Sequence, residues 1–306
     1  MSIHTPSDSA FQWQDLGPAR LAGTRSFSLA SKVVDQTFTI DVALPPFQMA
    51  LDRSLPVVFV LDGDHTFATV AQTARSLQID RAGLPPMLIV GIGYRPTEEG
   101  AVRAPLGLRT RDLTPSDDAR YVAMLRAAPP PFTLPDDIRP GGAGRFLSFI
   151  KEELGPFLAT QFAVDLDDQT IVGMSLGGLF ALHVLFTAPR AFRRYVVASP
   201  AIWWDDGLLF REEIAQAALA DDLNANVFLC AGAREEMDEP SARMVSNLAA
   251  MAAVLGGRAY PSLNLVQHLF EGEGHLSVYP AAVSRGLRAV FDRNANAAAW
   301  ATLPPA

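Results

Sequence analysis

Cysteine and lysine are almost missing from this chain. Cys230 stands alone among 306 residues, which excludes an intrachain disulfide framework and a cysteine-ligated metal cluster. Lys32 and Lys151 are the only lysines, so arginine carries nearly all the positive charge. Even so, acids outnumber bases and the net charge is −8, which argues against a general nucleic-acid surface. No apolar run approaches the ~20 residues of a membrane span. The opening "MSIHTPSDSAFQWQDLGPARLAG" lacks a charged segment followed by an apolar core, so it does not read as a signal peptide. Internal repeats and low-complexity blocks are lacking too. The expectation is a cytoplasmic protein with no membrane partner and no nucleic-acid partner; the oligomeric state is open.

What is present is a large apolar fraction, 49%, enough for a sizeable core. "TRSFSLAS" and "QTFTIDVALPP" read as an opening antiparallel hairpin, the second alternating apolar and polar from Phe38 to Leu44. Short continuous apolar runs follow at Val57–Leu61 and Met87–Ile92, with further strands read in "QTIVG", "RRYVVAS", "NANVFLCAG" and "LNLVQHLF". Such runs mark strands covered on both faces. Between them lie segments of helical period, such as Phe67, Val70, Ala71, Ala74 and Leu77, or Phe146, Phe149, Ile150 and Leu154. The alternation predicts an α/β fold with a mostly parallel sheet of about eight strands and helices on both faces. Residues 1–23 read as a tail or edge segment, and 24–306 as a single domain. Residues 95–140, rich in proline and mixed charge, lack clear periodicity. They exceed an ordinary loop and look like an insertion at a strand's carboxyl end, where such folds bind ligands.

Within "IVGMSLGGLF" lies a G-x-S-x-G pattern centred on Ser175. A short strand precedes it and an apolar helix follows, so Ser175 would sit on a tight strand-to-helix turn. Gly173 and Gly177 would remove side chains that collide across that turn, and Gly178 would let the helix pack closely on the sheet. A hydroxyl nucleophile needs a base, expected later in the chain after an acid. Of His4, His65, His183, His268 and His275, only His275 lies on a glycine-flanked loop after the last strand, "EGEGHLSVYP". His183, inside a helix, reads as a packed side chain. The acid is expected after "NVFLCAG": Glu235 is preferred, with Glu236 and Asp238 next. For the developing oxyanion, Leu176 supplies one N–H and the loop "DGDH", at Gly63, Asp64 or His65, the other. No ligand spacing for a metal accompanies that loop, so no metal and no cofactor are expected.

These pieces together resemble the esterase-D-like putative esterases, the branch of the α/β-hydrolases that includes the ferric-siderophore esterases. The resemblance rests on "VLDGDHTF", "GIGY", "RTRDLTP", "GMSLGGLFAL", "ASPAIWW", "AGAREE" and "GEGHLSVYPAAVSRGLRAVF", in the family's order from Val57 onward. It implies the α/β-hydrolase fold, Ser175 as nucleophile, His275 as base and Glu235 as acid. It also implies that Arg109 and Arg111 lie near the substrate mouth and that Trp203 and Trp204 line it. Read from the residues themselves, an arginine fork could hold a carboxylate or catecholate, and an indole could stack on a flat ring. Structural ion pairs and core packing are the competing readings.

The function expected is a serine carboxylic-ester hydrolase working through an acyl-enzyme on a small-molecule ester or lactone, such as a siderophore ester. An acyltransferase on the same residues, or a non-catalytic binding module of the same fold, are the alternatives.

Overall fold

A computed structural model describes residues 21–46, 54–80, 83–94, 103–129 and 133–291. Eight strands form one sheet: β1 (Thr24–Ser31), β2 (Gln36–Ala43), β3 (Leu55–Val60), β4 (Leu88–Gly93), β5 (Val164–Met174), β6 (Arg194–Ala198), β7 (Ala225–Gly232) and β8 (Leu263–Phe270). Their order is β1-β2-β4-β3-β5-β6-β7-β8. β1 and β2 pair antiparallel, β2 joins β4 antiparallel, and every later pairing is parallel. This is the mixed, mostly parallel sheet that the alternating pattern and the opening hairpin predict, and it agrees with the α/β-hydrolase fold that the resemblance implies. The expected tail lies mostly outside the described residues, as do His4 and the first part of the 95–140 segment.

Ten α-helices complete the described chain: α1 (Gly63–Ile79), α2 (Arg103–Asp112), α3 (Ala119–Ala127), α4 (Ala143–Ser148), α5 (Gly155–Gln161), α6 (Leu176–Thr187), α7 (Trp204–Leu219), α8 (Glu235–Asp238), α9 (Met244–Gly257) and α10 (Tyr279–Phe291). A π-helical stretch, Phe149–Leu154, joins α4 to α5.

The strand pleat sorts the core into two layers. Along β3, Val57 and Phe59 face a cluster with Phe146, Phe149, Leu179 and Leu182. Val58 and Val60 face another with Phe67, Val70 and Ala74 of α1 and Val283 and Leu287 of α10. Alternate residues of a strand point to opposite faces, so a fully apolar run is what burial on both faces requires. Of the periodic residues of α1, Phe67, Val70, Ala71 and Ala74 are buried and Leu77 partly so; those of the α4–α5 segment are all buried, whereas α6 is buried nearly all round because α7 covers its outer side.

Two helices, α2 and α3, occupy the described part of the segment between β4 and α4. Asp118 caps α3 by accepting from the N–H groups of Arg120 and Tyr121. Only Val122 and Leu125, with Leu134, form a small core beneath α3. So few buried positions leave a weak periodic signal, which is why these helices were not visible in the sequence.

Candidate active site

β3 and β5 run side by side, with Val60 opposite Val172, so the chain leaves both strands at the same edge. Leu61 N–H still donates to the Val172 carbonyl, 3.0 Å. Two residues after β3 the chain enters α1; one residue after β5 it enters α6. The N-termini of two helices therefore meet at the carboxyl ends of central strands. Their first N–H groups lack a carbonyl four residues back and carry partial positive charge.

Ser175 sits at the second of these turns with φ 58° and ψ −118°, outside the regions a non-glycine residue ordinarily adopts. Such a conformation costs about 1–3 kcal/mol and persists only where its surroundings enforce it. Here Ser175 N–H donates to the Ala198 carbonyl at 3.1 Å, and its own carbonyl accepts from Leu179 at 2.9 Å and Ala201 at 3.1 Å. A Cβ on Gly173 would lie 2.2 Å from the Gly177 carbonyl oxygen, so glycine is obligatory there. The expected collision at Gly177 is not found: a Cβ there would meet its nearest neighbours at 3.5 Å, ordinary contact. Gly178 is the second tight point, with the Pro200 Cα 2.9 Å from its would-be Cβ.

His275 follows β8 on the loop before α10, its side chain 41% exposed. Its Nδ1 lies 2.7 Å from Glu235 Oε2. Glu235 begins α8, just past β7, and its side chain is 2% exposed. The other oxygen, Oε1, accepts from Ser199 Oγ at 2.5 Å and from Gly232 N–H at 2.7 Å. Burial pushes this carboxyl up, but hydrogen bonds from His275, Ser199 and Gly232, with the His275 charge, outweigh it and hold it below the usual range. The acid and imidazole loops are tied together by Ala233 N–H to Phe270 O, 2.9 Å, and Arg234 N–H to Glu273 O, 3.0 Å.

The competing acids are otherwise employed. Glu236 accepts from Val245 N–H, 2.9 Å, and Ser246 N–H, 3.1 Å, at the start of α9. Asp238 faces Arg234 at 3.4 Å. His183 meets Glu212 across α6 and α7 at 2.9 Å, and His268 packs edge-on against Phe270.

Ser175, Glu235 and His275 line one cavity of about 410 Å³. Tyr121 and Met124 of α3, Trp203 and Met244 give it apolar walls, and Asp238 and Glu239 lie at its acidic side. The Tyr121 ring stands 5.2 Å from that of Trp203. The sequence showed no sign of Tyr121, Met124 or Met244 at the site, because α3 reaches it from a segment without periodicity. Ser199 was missed as a donor as well; it lies 36 residues from its partner.

Several expected neighbours are placed differently. Trp204 is fully buried, with Nε1 donating to Ser116 Oγ at 3.1 Å, so it packs behind the wall and does not line it. Arg111 forks onto its neighbour Asp112 at 2.6 and 2.9 Å. Arg109 forks onto Asp62 at 2.7 and 2.9 Å. Both guanidinium groups are thus committed to ion pairs within the protein, and neither is among the residues that line the cavity.

Gly63 and Leu176 open their helices side by side. Gly63 packs so tightly on β4 that a Cβ would fall 2.8 Å from Ile92 N. The Asp64 side chain turns to the end of β4 and accepts from Tyr94 N–H at 2.5 Å. A carbonyl carbon held over Ser175 would find a hydroxyl, an imidazole oriented by a buried carboxylate, and the N–H groups of two helix starts. That set suits attack on an ester and stabilisation of the oxyanion that follows.

Comparison with known proteins agrees. Residues 135–266 match the family model described as Putative esterase. The ferri-bacillibactin esterase BesA of Bacillus subtilis is 32% identical over 273 residues, covering 88% of this chain and 89% of that protein. The siderophore enterobactin esterase of Emericella nidulans is 33% identical over 230 residues, 72% of each chain. Among solved structures, the BES protein from Bacillus cereus superposes with a TM-score of 0.74 at 31% identity, covering 91% of this chain and all of that one (100%). At that identity and coverage, the chain is an ester hydrolase of the Putative esterase family, the α/β-hydrolase group that also holds these siderophore esterases.

Proposed function

We propose that the chain hydrolyses ester bonds of a siderophore-type lactone or ester through an acyl-enzyme on Ser175. The observation that carries this reading is the buried Glu235 carboxylate, 2.7 Å from His275 Nδ1, in a cavity that His275 shares with Ser175. Glu235 fixes the tautomer in which Nδ1 holds the proton and leaves Nε2 free as base. Ser175 Oγ attacks the ester carbonyl while Nε2 takes its proton. The oxyanion is met by Leu176 N–H and by the first N–H groups of α1, at Gly63 and Asp64. His275 then returns the proton to the departing alkoxide. Water attacks the acyl-enzyme in the same way, releasing the acid and restoring Ser175.

Tyr121, Trp203, Met124 and Met244 favour an aromatic acyl group, since flat rings stack well on such walls. A volume of about 410 Å³ suits one arm of a larger lactone, with the remainder held at the open side. The named activities of the similar esterases support the siderophore class. Residues 24–306 act in this reading as one hydrolase domain, with α2 and α3 as the insertion that shapes substrate access. A lone cysteine fits work in the cytoplasm; among the described residues, no helix is long and apolar enough to cross a membrane.

The test is chromatographic hydrolysis of an iron-loaded catecholate trilactone and of p-nitrophenyl acetate by wild type and Ser175→Ala, with fluorophosphonate labelling of both. Hydrolysis and labelling by wild type alone are expected. Trilactone hydrolysis persisting in Ser175→Ala would overturn the assignment.

A further inference from the structure

Asp62 occupies an unusual place: it joins β3 to α1 with φ 54°, in the left-handed region. Its carbonyl accepts from His65 N–H, 2.9 Å, and Thr66 N–H, 3.2 Å, and so fixes the first turn of α1. Its carboxylate lies on the other side, against the start of α6, with Oδ2 3.5 Å from the position of a Cβ on Gly177. A carboxylate is therefore lodged between the two helix starts whose N–H groups face the reacting carbonyl. Uncompensated, it would take up the positive field of both helices and repel an oxyanion forming beside them. Arg109 of α2 meets it with two parallel bonds, at 2.7 and 2.9 Å, with the side chains only 20% and 13% exposed. That is the strong, bidentate form of the interaction, held away from screening water.

We infer that Arg109 is a positioning residue for ester hydrolysis: its guanidinium neutralises Asp62, so that the helix starts at Gly63 and Leu176 keep their field for the oxyanion. The inference rests on the reading of Ser175 as nucleophile. It departs from a substrate-binding role for Arg109, because the Nε and Nη2 edge of its guanidinium is held by Asp62 and Arg109 is not among the residues that line the cavity. It also gives the fold a reason to reach across 47 residues from α2 to the end of β3.

The sign of the effect makes it testable. With p-nitrophenyl acetate, which is neutral, Arg109→Met should lower kcat by about 10²-fold, the size of losing one oxyanion donor, with KM changed less than threefold. Arg109→Lys keeps a cation and should stay within tenfold of wild type. The double variant Asp62→Asn/Arg109→Met removes both charges and should recover at least tenfold over Arg109→Met. A purely structural pair would recover in stability as well, so the recovery is read as kcat per folded molecule, which such a pair leaves unchanged among the three proteins. Unfolding curves and near-ultraviolet circular dichroism on each variant establish the fold; where Arg109→Met does not fold, the double variant must still lie within tenfold of wild type. A double variant as slow as Arg109→Met, or Arg109→Met with unchanged kcat, overturns the inference. Ser175→Ala, run alongside, separates this failure from that of the nucleophile: activity retained there sinks the underlying reading instead.

Discussion

Ser199 Oγ donates to Glu235 Oε1 at 2.5 Å while the opposite oxygen of the same carboxylate faces His275. Ser199 is fully buried and has φ 43°. Its N–H is fixed to the Cys230 carbonyl at 2.7 Å. β6 and β7 thus each contribute to holding the acid. Ser199→Ala removes one of three donors from a buried anion, at a cost of about 1–3 kcal/mol in stability. Denaturant unfolding at neutral pH measures it.

The lowered Glu235 carboxyl makes stability depend on pH with a definite sign. Its contribution is full above the unfolded-state value of ~4.3 and is lost as pH falls through the lower folded-state value. Melting temperatures of wild type and Glu235→Gln should therefore differ by a constant amount above about pH 5 and converge below it. In Ser199→Ala the carboxyl is less depressed, so the loss on acidification should be smaller and complete at a higher pH than in wild type. A loss of undiminished size, complete at the same pH as in wild type or lower, would mean that Ser199 does not stabilise the anion.

Glu235→Gln should also slow ester hydrolysis by about 10³–10⁴-fold in kcat, because the amide favours the wrong imidazole tautomer. Glu236→Gln should leave kcat within about threefold, since Glu236 caps α9 through Val245 and Ser246. Steady-state kinetics on one ester decide both.

The adjacent indoles should separate cleanly. Trp204 is fully buried and Trp203 half-buried at the cavity wall. Trp204→Ala should cost roughly 3–5 kcal/mol of stability. Trp203→Ala should instead raise KM for aromatic esters about tenfold, close to the 0.5–1.5 kcal/mol of one ring pair, with little change for acetate esters. Urea unfolding and a small ester series make the comparison.

The three glycines around Ser175 differ in what they tolerate. Gly173→Ala has no room, with backbone oxygen at 2.2 Å, and should yield no folded, active protein. Gly178→Ala presses on Pro200 and should cost about 1–3 kcal/mol. Gly177→Ala meets only 3.5 Å contacts and should remain folded. Expression level and melting temperature of the three distinguish them.

The sheet was legible because each central strand is a short apolar run and each pleat face has its own cluster. Ser175 was legible from local backbone demand alone, a glycine-flanked serine between strand and helix. Glu235 could be narrowed to one loop and no further: neighbouring acids there have similar chemistry, and only packing shows which one is 2% exposed beneath His275. Ser199, the commitment of Arg109 to Asp62, and the α3 wall could not be read. Each depends on residues tens of positions apart brought together by the fold, and none has a local pattern to announce it.

Ser175, Glu235 and His275, the residues proposed to act together, follow β5, β7 and β8, and among the described residues β8 is an edge strand paired with β7 alone. During synthesis, a chain emerging from the ribosome can therefore assemble the serine turn early yet stay inert until its final quarter has docked. In the proposed reading, turnover is then a stringent reporter of complete assembly: a proteolytic nick or truncation that detaches the β8 margin should silence the enzyme while leaving most of its mass correctly built.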